Sequence, residues 1–232
     1  MAWRAGELGG IVSVVLGIDT ATDVRVGLAR DGVILESRAV ESSRAHAEQL
    51  LPLVQQVMAD AALDLSELTA VHVGVGPGPF TGLRVGVAAA ITLAEVLDIE
   101  VRGVCSLDIV AAQWAADGVG TQFAVVADAR RKEVYWARYR GDGSRVAGPF
   151  VTAPDQVPDI ALAGPGASLT GRPVRGPLTI DAGFLAASGD LPEVGTEPLY
   201  LRRPDASVPT TRKSTLAKPR LAMMVADSPE AP

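Results

Sequence analysis

One helix-length segment, 81–97, constrains the fold more than any other part of the chain. From Leu83 onward its only polar side chains are Arg84, Thr92 and Glu95. A surface helix of a globular protein normally carries an apolar stripe on one side and polar residues on the other. The segment therefore predicts a helix that is covered on more than one side, either by the rest of this chain or by another protein.

The first half of the chain is predicted to follow an α/β order. Asp31-Gly32, between two alternating runs, is a strong hairpin signal, and Ser42-Ser43 supply an N-cap for the first helix. The order of elements predicts a parallel sheet that is led by an antiparallel hairpin. The predicted strands are 11–20, 24–30, 33–40, 68–76 and 101–106, and the predicted helices are 43–63 and 81–97.

The second half shows a similar order of strands and helices, but less clearly. It also opens on a hairpin, around Gly141-Asp142-Gly143, and this suggests a degenerate duplication of the first half. The predicted elements are a helix at 106–117, strands at 122–130, 132–140, 145–150, 160–164 and 177–181, and a short helix at 182–188.

Composition narrows the functional classes. Hydrophobic residues make up 48% of the 232 residues and aromatic residues 4%, which suits Ala, Val and Leu packed between helices and sheets. A formal net charge of -6 argues against a protein that wraps nucleic acid by its global field, but it allows local basic patches. A single cysteine forms no internal disulfide and favours a reduced, cytosolic setting. The apolar run 11–18 is too short to span a membrane.

Both termini are expected to lie outside the folded core. Met1 to Gly10 is interpreted as a loose extension, and from Pro204 onward Pro, Ser and Thr accumulate while periodicity fades. The segment 204–232 is therefore predicted to be a flexible tail. Its surroundings are basic, which indicates either a solubilising tail or a segment that approaches phosphates. The basic residues are Arg202, Arg203, Arg212, Lys213, Lys218 and Arg220.

The glycine-rich loop before the helix 81–97 does not fit a phosphate-binding motif. A Walker A loop needs Lys and then Ser or Thr after its last glycine, but Gly82 is followed by Leu83 and Arg84. Its two prolines, Pro77 and Pro79, remove backbone N–H donors that an anion would need. The loop is interpreted as a stiff support for the start of the helix.

A second candidate for phosphate chemistry follows the first strand. Asp19 at a strand end, followed by Thr20 and Thr22, could place a carboxylate and hydroxyls near Mg²⁺ and phosphate. An Asp/Thr turn that bonds its own backbone is an equally good explanation. Gly164 and Gly166 would be the remnants of an adenosine loop in the same cleft.

Hydrolase and metal chemistry find no support in the sequence. His46 and His72, the only histidines, lie near a helix start and inside a strand, and no nucleophile elbow or paired-histidine zinc motif occurs. Cys105 has no basic neighbour in sequence that would lower its pKa, so it is interpreted as a buried thiol.

The motifs LGIDTAT, HAEQLLP, GVGPGPFTGLRVGVAAAITLAEVL, GVCSLD and EPLYLRRPDA resemble the TsaB (YeaZ) family from about Val14 to Ala206. The resemblance implies an α/β fold of the actin/Hsp70/sugar-kinase (ASKHA) type with two duplicated lobes. The lobes would be residues 12–105, which carry the partner-binding helices, and residues 106–203. The implied role is in synthesis of threonylcarbamoyladenosine at position 37 of ANN-decoding tRNAs.

The resemblance also implies a catalytic paralogue, TsaD, that carries two histidines one helical turn apart after the strand matching VRGVC. In this chain the stretch is Cys105 to Ala111, without an imidazole. Serine, leucine and isoleucine cannot supply two neutral nitrogen ligands. The expected role is a non-catalytic scaffold.

In that family the first two helices pack against the equivalent helices of TsaD or of a second copy, which implies a heterodimer or a homodimer here. A TsaE-like ATPase joins at the junction, tRNA binds only within the complex, and no membrane is involved. No cofactor is required, although ATP or ADP could bind at the level of the complex. The expected interface residues are His46, Leu50, Leu51, Val54, Val57, Phe80, Leu83, Arg84, Val87, Ala90, Ile91 and Ala94.

Two other functions stay open at this point. The chain could be a free-standing ATPase or small kinase that uses Asp19, Thr22, Gly164 and Gly166. A peptidase is disfavoured most, because neither metal ligands nor a triad occur. The partner hypothesis depends on the outer sides of the two helices staying uncovered, and a third internal layer over them would contradict it.

Overall fold

The computed structural model describes residues 12–40 and 46–202. Five strands form a first sheet in the order β3-β2-β1-β4-β5. β1, β2 and β3 are antiparallel neighbours, whereas β4 and β5 run parallel to β1. The bounds are β1 Val14–Asp19, β2 Val24–Arg30, β3 Val33–Val40, β4 Ala70–Gly74 and β5 Glu100–Val104. The sequence prediction of a hairpin that leads a parallel sheet is confirmed.

Two helices cover one side of this sheet. α1 (His46–Asp60) lies over β2 and β3, α2 (Phe80–Leu97) lies over β4, β1 and β5, and the two helices contact each other. Apolar side chains at alternate positions of β1, such as Leu16 and Ile18, point into the layer between sheet and helices. This layer is the main core of the first lobe.

The second sheet repeats the first in shorter form. Its order is β8-β7-β6-β9, with β6 to β8 antiparallel and β9 parallel to β6. The first four strands of the chain have the same order, so the predicted duplication is visible in the topology. The elements are α3 Ser106–Ala116, β6 Phe123–Asp128, β7 Val134–Tyr139, β8 Arg145–Thr152 and β9 Ala161–Ala163. Three short 3-10 helices are Leu65–Glu67, Pro154–Gln156 and Ala167–Thr170.

The last helix crosses back to the first lobe. α4 (Ala182–Ala187) packs on the side of the first sheet opposite α1 and α2. A Cβ at Gly17 would lie 2.2 Å from the Ala182 carbonyl oxygen, so only glycine admits this approach. A helix that continues the second half in sequence thus packs on the sheet of the first half, and its Leu185 also joins the core around α3. The predicted boundaries of the two lobes, 12–105 and 106–203, stay a prediction.

One predicted strand is absent from the structure, and three other sequence predictions concern residues that the structure does not describe. No strand forms at 177–181, where the chain is an irregular link to α4. The serine cap at Ser42-Ser43, the extension Met1 to Gly10 and the tail 204–232 lie outside the described residues.

α2 is long and apolar enough to pass a membrane-span test by length and composition, and a third of the tested window is buried inside the protein. A core helix of a soluble protein passes the same test.

Candidate functional site

The loop that precedes α2 is held by hydrogen bonds to its own neighbours. The Val75 N–H donates to the Val104 carbonyl at 2.9 Å, and the Gly76 N–H donates to Ser106 Oγ at 3.0 Å. The Ser106 N–H returns a bond to the Gly76 carbonyl at 2.8 Å. Two loop donors are thus already engaged and two prolines supply none, which supports the interpretation of the loop as a support for α2.

Asp19 and Thr20 lie in the core and do not face a cleft. Both are 0% exposed. Asp19 Oδ2 accepts from Ser106 Oγ–H at 2.6 Å, its Oδ1 accepts from the Ala21 N–H at 2.8 Å, and Thr20 Oγ1 donates to the Gly82 carbonyl at 2.8 Å. The prediction that these two side chains bind a nucleotide is wrong, because their polar atoms tie β1 to α2 and α3.

The charge state of Asp19 follows from this burial. Desolvation raises the pKa of the carboxyl, and the hydrogen bonds from Ser106 and Ala21 oppose the shift. A Cβ at Gly74 would lie 1.7 Å from Asp19 Oδ2, so β4 also leaves no room beside the carboxylate for a ligand. Asp19 is a structural carboxyl in this chain.

Of the five predicted nucleotide residues, only Thr22 faces open space. It lines a cleft of about 250 Å³ between the lobes, together with Asp23, Pro79, Arg130 and other residues. The Gly164 N–H donates to the Pro177 carbonyl at 2.7 Å and the Gly166 N–H to the Val126 carbonyl at 2.9 Å. Both backbone donors are thus engaged, whereas Pro165 between the two glycines lines the same cleft as Thr22, so a nucleotide contact at these glycines stays a prediction.

The stretch that would hold metal in the paralogue is packed into the second lobe. Ser106 to Ala111 are all buried, and Asp108 accepts at Oδ1 from Tyr139 Oη–H at 2.7 Å. Arg145 lies 3.6 Å from the other carboxylate oxygen. Burial raises the pKa of Cys105 to about 12, so the thiol is inert as predicted. Within residues 12–40 and 46–202 no cluster of three His, Cys, Asp or Glu side chains could hold a metal ion.

His72 is also structural. It is 4% exposed, and its Nδ1 lies 3.0 Å from the Leu185 carbonyl oxygen, which accepts the ring N–H. Desolvation lowers the pKa of this imidazole. His72 thereby fastens α4 to the first sheet.

α2 divides into a buried side and an outer side. Its buried residues recur at helical spacing. Val87 and Ala90 pack in the core over the first sheet, and Leu83 packs in the core around α3. The three polar side chains, Arg84, Thr92 and Glu95, are exposed on the outer side. Between and beside them lie apolar residues that are exposed or half-buried within the described part of the chain, and the half-buried ones pack partly against the core of the first lobe. These are Val85, Ala88, Ala89, Ile91, Leu93 and Val96, and Val96 is 76% exposed.

The burial of one side of each helix contradicts the prediction for most of the interface residues. Seven side chains lie at 5% exposure or less in the layer between helices and sheets, so they hold this chain together and are unavailable to a partner. They are Leu50, Val54, Val57, Leu83, Val87, Ala90 and Ala94. A helix on a sheet must bury its own side first, and the sequence prediction did not separate that side from the outer one.

Four predicted interface residues are accessible. Leu51 is 52% exposed on α1, Arg84 is exposed, and Phe80 and Ile91 are half-buried. The side chain of His46 lies outside the described residues. We call the outer side of α1 and α2 the outer helix face, and it comprises Leu51, Gln55, Arg84, Val85, Ala88, Ala89, Ile91, Thr92, Glu95 and Val96.

Sequence reasoning missed one residue at the edge of this face. Tyr200 stacks on Phe80 with ring centroids 4.6 Å apart, and Arg84 Nε donates to Tyr200 Oη at 2.8 Å. The backbone is fixed beside it, because the Leu199 N–H donates to the Val75 carbonyl at 2.8 Å. Within the described residues Tyr200 contacts Phe80 and Arg84 near the start of α2, and the aromatic residue in EPLYLRRPDA was the available signal.

Comparisons with known proteins agree with this architecture. A family model described as TsaD, tRNA N6-adenosine threonylcarbamoyltransferase, matches residues 37–171. An uncharacterized protein of Mycobacterium tuberculosis is 48% identical over 206 residues, which cover 84% of this chain and 94% of the relative. TsaB of Escherichia coli is 36% identical over 130 residues, which cover 55% of each protein.

The solved structure of YeaZ from Pseudomonas aeruginosa superposes with a TM-score of 0.68 at 28% identity, covering 82% of this chain and 100% of the other. The chain belongs to the family that the model describes and, within it, to the TsaB (YeaZ) proteins. The α/β fold with two duplicated lobes of the ASKHA type is confirmed.

Proposed function

We propose that this chain is a non-catalytic scaffold subunit in the synthesis of threonylcarbamoyladenosine in tRNA. It would bind and support a TsaD-like transferase through the outer helix face, and a TsaE-like ATPase would join at the junction. The relatives named TsaB, which carry that pathway in their names, support the process. The proposal places the protein in the cytoplasm, with tRNA bound only in the assembled complex.

The observation that carries the proposal is the uncovered side of α2. Only a third of this 18-residue helix is buried, although it is apolar enough to pass a membrane-span test. Val96 at 76% and Leu51 at 52% exposure lie on neighbouring helices of one lobe. Large apolar areas that a monomer leaves bare commonly mark binding surfaces. Small residues such as Ala88 and Ala89 let a partner helix approach closely.

The non-catalytic part of the proposal rests on the chemistry of the residues that are present. Asp19, Ser106 and Asp108 occupy the positions after β1 and β5 where a catalytic set would lie, but each is buried and bonded inside the protein. The Asp19–Ser106 bond joins the two lobes, and Asp108 bonds Tyr139 within the second lobe. No cofactor is required for that role, and ATP or ADP would bind only at the level of the complex.

Coelution of purified proteins tests the partner assignment. A Leu51→Glu, Val96→Glu variant places two charges on the outer helix face, and we expect it to lose coelution with the TsaD-like paralogue in size-exclusion chromatography. Leu178→Glu is the matched control, because Leu178 is 55% exposed on a different surface. Both variants should keep the wild-type melting temperature, since surface changes usually alter stability by less than about 0.5 kcal/mol.

Undiminished coelution of the double variant would contradict the proposal. A wild-type chain that elutes as a dimer and a double variant that elutes as a monomer would show that a second copy uses the same face. The rival function, a free-standing ATPase or small kinase, predicts saturable Mg-ATP binding by the isolated chain in calorimetry. The burial of Asp19 and Thr20 argues against that function.

A further inference from the structure

The outer strands of the two sheets differ in how their free edges are protected. An outer strand leaves every second backbone N–H and C=O group without a partner in its sheet, and proteins usually cover or interrupt such an edge. The outer strands are β3 and β5 of the first sheet and β8 and β9 of the second. Within the described residues, the edges of β5, β8 and β9 are covered or interrupted, and β3 is the exception.

The three protected edges use familiar devices. The Val194 N–H donates to the Gly103 carbonyl of β5 at 2.9 Å, and the Arg175 N–H donates to the Leu162 carbonyl of β9 at 3.1 Å. Pro149 lies in β8, where the pairing with β7 also shifts register. Proline and irregular pairing both hinder the addition of a further strand to an edge.

β3 presents a regular edge to solvent. Among the described residues, its backbone pairs with β2 alone. The one irregularity of that pairing lies at Leu35, so residues 36–40 form an unbroken ladder. Three consecutive apolar residues at the start of the strand are exposed, Val33 at 65%, Ile34 at 41% and Leu35 at 37%. Such an edge is able to pair with a strand of another molecule.

The hydrogen-bond pattern shows which backbone groups of β3 point outward. The Asp31 N–H donates to the Ser13 carbonyl at 2.8 Å, and bonded pairs in an antiparallel ladder recur at every second residue. β2 therefore bonds β1 through its odd-numbered residues and β3 through its even-numbered ones, which lie opposite the even-numbered residues of β3. The backbone N–H and C=O groups of Ser37 and Ala39 consequently point away from the sheet.

The centre of this edge carries one acid and one base. Arg38 Nη2 lies 3.4 Å from Glu36 Oε2, and it also pairs with Asp60 of α1 at 2.9 Å. The side chains of Arg38 and Glu36 are 41% and 28% exposed. Residues two apart in a regular strand lie on the same face of the sheet, so both charges lie on the face that α1 covers. A strand that pairs with β3 has to offer a base beside Glu36 and an acid beside Arg38.

A second copy of β3 meets this condition in one register. Two copies related by a two-fold axis run antiparallel, and an axis at Ser37 sets each Glu36 opposite Arg38 of the other copy. An axis at Glu36 would oppose two acids, and an axis at Arg38 would oppose two bases. An axis between two residues would set side chains from opposite faces side by side, which a continuous sheet does not allow.

The backbone favours the same register as the charges. Because the groups of Ser37 point outward, an axis at this residue lets the two copies exchange a pair of N–H to C=O bonds there. Ala39, the other outward-facing residue, then lies opposite Leu35 of the second copy. The pair of Glu36 and Arg38 falls at a position without backbone bonds, where opposite side chains approach most closely.

We propose that the edge of β3 docks a second copy of this chain, which pairs antiparallel about Ser37 and joins two five-stranded sheets into one. The ladder is short, so the dimer forms and dissociates with concentration. This surface is distinct from the outer helix face. The proposal therefore does not rest on the proposed function.

Sedimentation velocity of the full chain over a range of concentrations tests the edge. The wild-type chain should become a dimer as its concentration rises. Ala39→Pro removes an outward N–H and puts a ring where the second copy would lie, while the bonds to β2 are kept. It should weaken the dimer at least about tenfold at an unchanged melting temperature. The Leu51→Glu, Val96→Glu variant alters the outer helix face and should dimerise like wild type.

A charge-reversal pair tests the register. Glu36→Arg would oppose two bases and Arg38→Glu would oppose two acids, so each variant alone should dimerise about tenfold more weakly than wild type. In an equal mixture the two variants regain opposite charges at both pairs and should form a heterodimer of near wild-type affinity. A mixture of Glu36→Arg with Arg140→Glu is the matched control and should show no recovery, because Arg140 is an exposed arginine beyond β7.

Three results would overturn the proposal. They are a wild-type chain that stays monomeric at every concentration, a dimer that Ala39→Pro leaves unchanged, and a mixture of the two charge variants that associates as weakly as each variant alone. The second result would show that the copies meet on another surface. Coelution with the TsaD-like paralogue tests the outer helix face, so failure of the β3 edge and failure of the partner assignment are distinguishable.

Discussion

The two sides of α2 are both rich in apolar residues, but only one of them is explained by folding. On the inner side Leu83 and Ala90 are 0% exposed, Ala90 in the core over the first sheet and Leu83 in the core around α3. On the outer side Ala88 and Val96 are exposed to solvent. An apolar residue inside is buried by this chain, whereas an exposed residue of the same type outside buries little area within it. The difference separates what the sequence needs for folding from what it needs for association.

The inner side should be the most sensitive to substitution. Leu83→Ala removes a fully buried side chain and should lower the free energy of unfolding by about 2–5 kcal/mol. Ala88→Ser on the outer side should change it by less than about 0.5 kcal/mol. Urea unfolding of the two variants measures this contrast. Equal effects would show that the two sides of α2 are not distinct in the folded protein.

Substitution of Asp19 should have the next largest effect on the free energy of unfolding. Asp19→Ala leaves the Ser106 hydroxyl and the Ala21 N–H without their acceptor, and each unsatisfied buried group costs about 1–3 kcal/mol. Asp19→Asn keeps one acceptor and loses the buried acid, so it should be milder. Thermal unfolding of both variants checks the order. A more stable Asp19→Ala protein would argue that Asp19 is retained for a ligand and not for the fold.

The titration of His72 is expected to have a smaller effect on stability. Burial lowers the pKa of the folded imidazole below its ordinary 6.5, so the unfolded chain binds more protons as pH falls through that value. The stability associated with His72 is therefore full above the unfolded pKa and is lost as pH falls toward the folded pKa. Arg102 nearby lowers the pKa further, whereas Glu100, Glu193 and the Leu185 carbonyl oppose the shift.

Urea unfolding between about pH 8 and about pH 5.5 measures this dependence. The wild-type protein should lose stability toward the acid end, and His72→Gln should show a shallower slope. Asp19 and Asp108, whose pKa values are raised, act in the opposite direction, because their contribution is lost as pH rises from 3.8. Identical slopes in wild type and His72→Gln would show that His72 does not contribute to the pH dependence of stability.

Sequence patterns predicted the first lobe well because its signals are local. The Asp31-Gly32 turn, the apolar alternation and the helix periods gave the order β1 to β5 correctly. They could not place α4, because its position against Gly17 is a contact between residues more than 160 positions apart along the chain. The same limit applies to Asp19, whose partner Ser106 lies 87 residues away.

The interface prediction failed at seven side chains for a related reason. Composition shows that α2 is apolar almost throughout, but only the packing shows which residues face the sheet. The spacing Leu83, Val87, Ala90 and Ala94 marks the inner side in retrospect. The sequence did not predict the left-handed backbone at Arg130 to Lys132, because glycine and asparagine are the residues that usually adopt this conformation.

Cysteine protection at Ala88 tests the central claim most directly. The chain has one cysteine, Cys105, which is 0% exposed with a pKa raised to about 12, so a maleimide should label only the new thiol of Ala88→Cys. On addition of the TsaD-like paralogue, labelling of Ala88→Cys should slow by at least about tenfold, while labelling of Leu178→Cys stays unchanged. Equal labelling rates at Ala88→Cys with and without the paralogue, in a mixture shown to coelute, would contradict the docking of a partner on the outer helix face.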